Sequence, residues 1–399
     1  MTARPRIAFV VQRCGREVNG GAEQLCLKIA QRMTAHWDCE ILTTCALDYV
    51  TWDNHYPDAP ETVDGVLIRR FPVAVTRDIA HFNRLSERLH PHRATASLAE
   101  QEAWMRAQGP WTPELFAYLE QQREAYDAFI FFGYLYATTY FGLPWVRDKA
   151  LLAPLAHDEW PIYLPMWDRL FSLPCGFIFN TPEERDFVRR RFPNLAPEGP
   201  VAGVAVDPPP RYDGARFRQR HAIDQPFLLY LGRIEPSKGC DQLFEYFIQL
   251  RRHEHQPRKL VLLGRAVMEI PPHPDIVSLG FVDEQTKWDA LAASELLIMP
   301  SPYESLSIVL LEAWTIGKPV LVNGHCEVLV GQCRRANGGL WYRNFGEFTL
   351  CLRTLQNDHL SARLGSQGRQ FVEQQYGWPR IESCYGDLLR TIDQSGKGA

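Results

Sequence analysis

The sequence predicts an α/β protein of two Rossmann-like, doubly wound domains, and three observations carry that expectation. Short apolar runs alternate with helical patterns almost end to end, the signature of a parallel sheet covered on both faces. The rhythm breaks at "VDPPPRYDGARFRQRHAIDQP", where consecutive prolines and a run of charges read as a linker. A length of 399 residues exceeds one ordinary core and suits two domains of the usual ~100–200 residues.

The first half opens with a short basic tail and the strand "IAFVVQ", then places Gly20-Gly21 of "EVNGGAEQL" at the start of a helix. Glycines there let a ligand approach backbone N–H groups, although a plain tight turn reads equally well. The pattern is not G-x-G-x-x-G and no acid ends the second strand, "CEILTTC", which argues against a nicotinamide dinucleotide. After "GVLIRRF", the segment "TRDIAHFNRLSERLHPHRA" spaces Ile79, Phe82, Leu85 and Leu89 on one helical face, flanked by Arg77, Arg84, Arg88 and Arg93. Such a helix either packs on the domain or makes a peripheral contact with an anionic membrane.

"AFIFFGYLYATTYFGLPWV" lacks charge and approaches the length of a membrane span, but Gly133, Gly142 and Pro144 interrupt it, so a buried strand and a short helix are expected. "ALLAPLA" leads to His157, Asp158 and Glu159 at a strand end, as either loop polarity or a ligand contact. "GFIFN" runs into "NTPEER", where Thr181, Pro182 and Glu184 form a capping box read as purely structural. "VAGVAV" is the last strand pattern before the break. A boundary near Pro208 divides a domain over 1–208 from one over 209–380, with a terminal helix and tail over 381–399.

The second half restarts with "FLLYLG", "KLVLLG", "IVSLGF", "LLIMPS" and "PVLVNG". After the first of these, "YLGRIEPSKG" sets Arg233 and Lys238 around a glycine-bearing turn, and with Gly239 after Lys238 it is not a Walker motif. After the fourth, a helix from about Leu306 to Ile316 is apolar on every side, so a carboxylate at Glu312 is costly unless partnered. The partner is either a buried Arg or Lys or the hydroxyl pair of a ligand. Ser305 and Ser307 suit the helix start, where unpaired N–H groups and the positive dipole end attract an anion such as a phosphate. Glu312 lies about two turns further in, at ~1.5 Å per residue, within reach of the ribose of a nucleotide whose diphosphate sits at that start. Glu304 then lies beside whatever the diphosphate carries. A terminal helix interrupted at Trp378-Pro379 is either simply kinked or crosses back to the first domain.

Composition narrows the function classes. Apolar residues at 46%, charged residues at 23% and a formal charge of -4 describe a globular chain without general attraction to nucleic acid. Ten cysteines without a C-x-x-C pair supply neither a zinc nor a dithiol spacing, and buried thiols in a reducing cytosol are expected. The N-terminus lacks a signal-peptide h-region, which fits a cytoplasmic protein. Seven of the 11 tryptophans precede Pro208, most of them as core and one or two as candidates to line an acceptor cleft.

Assembled in order, these residues resemble the retaining glycosyltransferases of family four, of the two-Rossmann-domain GT-B type with a cleft between the domains. Glu304 and Glu312 match the family's E-x-x-x-x-x-x-x-E motif, "LGRIEPSKG" its diphosphate-binding turn, "GGAEQ" its N-terminal glycine loop and "HDEW" its histidine beside the transferred sugar. The resemblance runs from Ile7 to about Leu389. It implies that Arg233 and Lys238 hold the donor diphosphate, Glu312 the ribose, Glu304 the sugar ring, His157 a sugar hydroxyl, and that Gly21 lies near the phosphates. Gly264, Arg265 and Val282 would border the base, and Ser305, Leu306, Ser307 and Ile308 would complete the donor site. Leu306-Ser307 stands where many members have Phe-Gly, which keeps backbone donation but gives no clue to the sugar.

The implied reaction moves a hexose from a UDP- or GDP-linked donor to a glycan, lipid-linked or small-molecule acceptor, with no cofactor beyond the nucleotide sugar. No D-x-D triplet occurs, so basic side chains and backbone N–H groups are expected in place of a metal clamp. A non-hydrolysing nucleotide-sugar epimerase and a nucleotide-sugar binding protein without turnover share the architecture; the first would convert the donor alone, and the second would bind it without turnover.

Overall fold

The computed structural model describes residues 4–18, 20–195, 198–254 and 256–396. Its first sheet comprises β1 (Arg6–Val10), β2 (Asp38–Thr44), β3 (Glu61–Val63), β4 (Val66–Phe71), β5 (Ala128–Phe132), β6 (Ala150–Ala153) and β7 (Gly176–Phe177). The spatial order is β3-β4-β2-β1-β5-β6-β7, with every pairing parallel except β3 with β4. β5 is buried at every position because it lies between β1 and β6 with both faces covered. The uncharged stretch that begins with it resolves into this strand and the helix Ala137–Gly142. Among the described residues, no helix is long and apolar enough to cross a membrane.

The second sheet comprises β8 (Phe227–Leu231), β9 (Lys259–Leu263), β10 (Ile276–Ser278), β11 (Leu296–Met299), β12 (Val320–Asn323) and β13 (Gly339–Tyr342). It is parallel throughout, in the order β10-β9-β8-β11-β12-β13. The architecture is the expected α/β one of two Rossmann-like units. Residues up to Val204, with those from Pro379 onward, form one unit, and Ala205–Trp378 form the other.

Two local readings change, and one pair of alternatives narrows to the packed helix already offered. "VAGVAV" is not a strand: Val201 makes a single bridge to Phe179, and Gly203 at φ +66° turns the chain away. β3 and β13 are short additions without a long alternating pattern. The apolar face of the helix Ile79–Leu89 is largely turned inward, with Phe82 5.8 Å from Trp104 and Leu85 against the same core. Ser86 Oγ accepts from Trp104 Nε1 at 2.9 Å, and Arg77 donates to the carbonyls of Gln108 and Tyr49. Only Ile79, 41% exposed, is left as a large apolar side chain on that face.

Trp37, Trp52, Trp104 and Trp167 are buried, whereas Trp145 is exposed. At the C-terminus, the helix Asp358–Gln375 ends before a new one, Trp378–Gly396, whose first turn holds Pro379, where a missing N–H removes no intrahelical bond. In the first unit Glu382 of this helix pairs with Arg32 and lies 3.1 Å from His36 Nε2, while Tyr385 is buried.

Candidate functional site

In the second unit the site begins where β8 and β9 end. Gly232 and Gly264 both adopt φ +145°, and a Cβ on Gly264 would lie 1.9 Å from the Gly232 carbonyl oxygen, so neighbouring backbones meet there without side chains. The Ile234 amide donates to the Arg265 carbonyl at 3.0 Å, and the Gly264 amide to the Gly280 carbonyl at 2.8 Å. These bonds tie the turn carrying Arg233 to the segments carrying exposed Arg265 and half-buried Val282. The Tyr230 hydroxyl donates to the Arg233 carbonyl from beneath.

Lys238 sits in a short turn ended by Gly239 at φ +71°, where a Cβ would strike the Pro300 carbonyl oxygen at 2.4 Å. Only glycine lets this turn lie against the end of β11, and that packing brings two expected site residues together. Lys238 Nζ is 2.7 Å from Glu304 Oε1. Arg233 Nη2 lies 3.3 Å from Glu235 Oε1.

The helix carrying Glu312 spans Ile308–Thr315, slightly shorter than its apolar run implies. Ser307 is the N-cap, yet its hydroxyl makes no capping bond and is buried without a hydrogen-bond partner. Glu312 is 2% exposed, and Lys287 Nζ, from the helix Glu284–Ala293, is 2.6 Å from its Oε1. Burial alone would pull the Lys287 ammonium down, but the carboxylates of Glu312 and Glu284 outweigh it and hold its pKa above the ordinary value. Glu312 Oε2 is buried without a hydrogen-bond partner. The cation expected under one reading of Glu312 is therefore present, and it uses one of the two oxygens. Sequence reasoning did not name Lys287, whose local pattern resembles an exposed i,i+3 pair with Glu284.

In the first unit, Gly20 precedes the helix Gly21–Met33. A Cβ on Gly20 would lie 2.0 Å from Glu23 Oε2, whereas one on Gly21 would meet nothing within 4 Å. Glu23 Oε1 is 2.6 Å from Arg13 Nε in a buried pair, so this loop is built on a charge pair that the sequence reading missed.

His157 lies four residues beyond β6, with Nδ1 3.0 Å from Glu159 Oε1, while Asp158 accepts from the Tyr163 hydroxyl at 2.6 Å. "NTPEER" is not only a local cap. Thr181 Oγ1 does accept from the Glu184 amide at 3.2 Å, but the Glu184 carboxylate reaches outward instead of closing the box. It accepts from the Asn180 amide at 2.7 Å and from the Ala156 amide, the residue before His157, at 2.8 Å. Burial pushes the Glu184 pKa up to about 7 against the opposing pull of those amides and of His157.

Residues 213–344, within the second unit, match the family model described as Glycosyl transferases group 1. Alpha-D-kanosaminyltransferase of Streptomyces kanamyceticus is 31% identical over 127 residues, covering 28% of this chain and 32% of that enzyme. Across the curated relatives it matches, the chain spans about a third to a half of their length. Sucrose-phosphate synthase from Thermosynechococcus elongatus superposes with a TM-score of 0.73 at 18% identity, covering 98% of this chain and 100% of that one. The Anabaena protein HepE in complex with UDP-glucose gives 0.66 at 14% identity, with 98% and 99% covered. These structural likenesses are likenesses of fold, the GT-B class.

Proposed function

We propose that the chain is a retaining glycosyltransferase of the family-four type, moving a hexose from a nucleotide diphosphate sugar to a glycan, lipid-linked or small-molecule acceptor. The observation that carries this reading is the contact of Lys238 with Glu304 at the glycine-built strand ends of the second unit. A bound diphosphate would take Lys238 from Glu304, and the freed carboxylate would then face the sugar. Glu312 Oε2, buried without a partner, would accept from a ribose hydroxyl while Oε1 stays on Lys287. The amides of Ser305, Leu306, Ser307 and Ile308, at and just before the helix start, would donate to phosphate oxygens.

In the transfer itself the acceptor hydroxyl oxygen forms the new bond to the anomeric carbon as the bond to the diphosphate breaks. The leaving phosphate oxygen takes the acceptor proton, so the same face of the sugar is used for departure and attack. Arg233, Lys238 and the amides neutralise the departing charge, which makes the reaction metal-independent in this reading. His157 would hold a sugar hydroxyl from the first unit.

A thermal-shift screen of UDP- and GDP-linked sugars, with and without EDTA, tests the donor site, since a ligand at 100 Kd stabilises by ~2.7 kcal/mol. One nucleotide sugar should raise Tm in EDTA. Product NMR with acceptors should then show the donor's anomeric configuration retained. No shift with any nucleotide sugar would end the reading, and an inverted product would end the retaining part of it.

A further inference from the structure

We propose that Glu184 is a positioning residue of the transfer site, holding a strained turn at Leu155 so that His157 is presented in one orientation. The proposal rests on the sugar-contacting role given to His157 above.

The backbone supplies the first observation. β6 ends at Ala153, and two residues later Leu155 adopts φ +53°, the left-handed region that a bulky L-residue enters only under steric strain. That turn takes the chain out of the strand direction between β6 and His157. Gly133, which itself sits at φ +84° after β5, lies beside it: a Cβ on Gly133 would meet Leu155 Cδ1 at 4.0 Å, an ordinary packing distance, so its backbone angle and not space sets the glycine there. Neighbouring backbone fixes the approach, with the amides of Gly133 and Tyr134 donating to the carbonyls of Ala153 and Pro154 at 2.9 and 3.0 Å.

The second observation is what secures the far side of the turn. Ala156 and Asn180 donate to the two oxygens of the Glu184 carboxylate, at 2.8 and 2.7 Å. One buried side chain thus bridges the residue before His157 and the start of the helix Pro182–Arg191. A helix-capping role alone is met by Thr181 Oγ1 and needs no carboxylate at this place. The imidazole of His157 acts on the Glu184 carboxyl, and Glu184 in turn acts on the Tyr385 hydroxyl of the terminal helix. Since the bonds go to backbone, Glu184 acts on chemistry only through the orientation of His157.

The test uses the full chain and the UDP- or GDP-linked sugar that raises its Tm, following nucleoside diphosphate release and, separately, amide hydrogen exchange. At a pH of about 8 or above, where the wild-type carboxyl is ionised, glutamine keeps one acceptor but sets an NH2 group against a backbone N–H, so Glu184→Gln should lower kcat at least ~10-fold, with donor KM within about twofold of wild type. Exchange at Ala156 and Asn180 should quicken. Adding Leu155→Gly, which removes the left-handed penalty, should recover several-fold of the lost kcat, a rescue that a purely core-packing role would not give.

A folded Glu184→Gln with kcat within about twofold of wild type overturns the proposal, as does a loss that Leu155→Gly leaves untouched. Should the glutamine variant fail to fold, Glu184→Asp, which draws the carboxylate back by one methylene, carries the same comparison. His157→Ala separates the premise from the inference. Wild-type kcat in that variant would remove the role of His157, whereas a dead His157→Ala beside an active Glu184→Gln removes only the positioning role.

Discussion

At the ends of β8 and β9 the second unit places glycines at φ +145°, with backbone amides and carbonyls in direct contact. At the ends of β1 and β6 the first unit instead places a buried Arg13–Glu23 pair, the buried carboxylate of Glu184 and a leucine at φ +53°. A strand end made of glycine backbone keeps its shape whatever side chains surround it, which in the proposed reading suits a diphosphate present in every donor. A strand end made of side chains is redrawn by each substitution, which in that same proposed reading suits an acceptor that differs between enzymes. The contrast is not absolute, because the second unit also contains the buried Lys287–Glu312 pair.

That exception gives the largest expected effect. Lys287→Met leaves the Glu312 carboxylate buried without its cation and should destabilise the second unit by about 3–5 kcal/mol in urea unfolding. Replacing both, as Lys287→Met with Glu312→Leu, should recover most of that loss while abolishing nucleotide binding. If Lys287→Met costs under ~1 kcal/mol, the second unit tolerates a lone buried carboxylate and its glycine-built ends carry the architecture alone.

In the first unit the matching test is pH. Burial raises the Glu184 pKa from its ordinary 4.5 to about 7, so the native state holds this proton more tightly than the unfolded chain. The stability it confers is complete below pH ~4.5 and is lost as pH rises through about 7, a change of about 3 kcal/mol at ~1.4 kcal/mol per tenfold. The difference in unfolding free energy between wild type and Glu184→Gln should shrink by that amount over this window. A flat difference means the amides hold the carboxylate ionised throughout.

How much of this was legible in the sequence depends on chain separation. β5 could be read because burial on both faces leaves only apolar residues, and Glu304 and Glu312 because a carboxylate in or beside an all-apolar helix stands out locally. Lys287 could not, since its partner lies 25 residues away and its own helix reads as solvated. Glu184 had a local explanation as a capping residue, and the bond to Ala156, 28 residues upstream, has no sequence signature. "VAGVAV" misled because apolarity does not reveal that Gly203 takes φ +66°.

Glu304 asks whether the second unit's chemistry needs any side chain beyond its cations. Glu304→Gln keeps the shape and removes the charge, and should lower kcat at least ~10-fold, about 1.4 kcal/mol of barrier, while nucleotide affinity changes little. The Lys238 contact at 2.7 Å adds a second expectation: without a carboxylate to leave, Lys238 should bind a free nucleoside diphosphate no more weakly than before. A tenfold loss of UDP or GDP affinity in this variant would mean that Glu304 mainly orients Lys238.

The smallest expected effect bears most directly on the contrast, because Gly21 is the one glycine of the first unit assigned to the donor phosphates. Alanine at this first helical position meets nothing within 4 Å and restricts the unfolded chain, so Gly21→Ala should be neutral or stabilising by about 0.4–1 kcal/mol. Gly20→Ala makes the control, since its Cβ would fall 2.0 Å from Glu23 Oε2 and should cost stability by disturbing the Arg13–Glu23 pair. If the diphosphate approaches Gly21, the added methyl must raise donor KM although the protein melts no earlier, a split that no general loss of folding can imitate. If Gly21→Ala melts later and leaves donor KM alone, the first unit contributes no backbone-made phosphate contact there. Its glycine pair then exists to seat Glu23, and the division between backbone-built strand ends in the second unit and side-chain-built ones in the first becomes sharper.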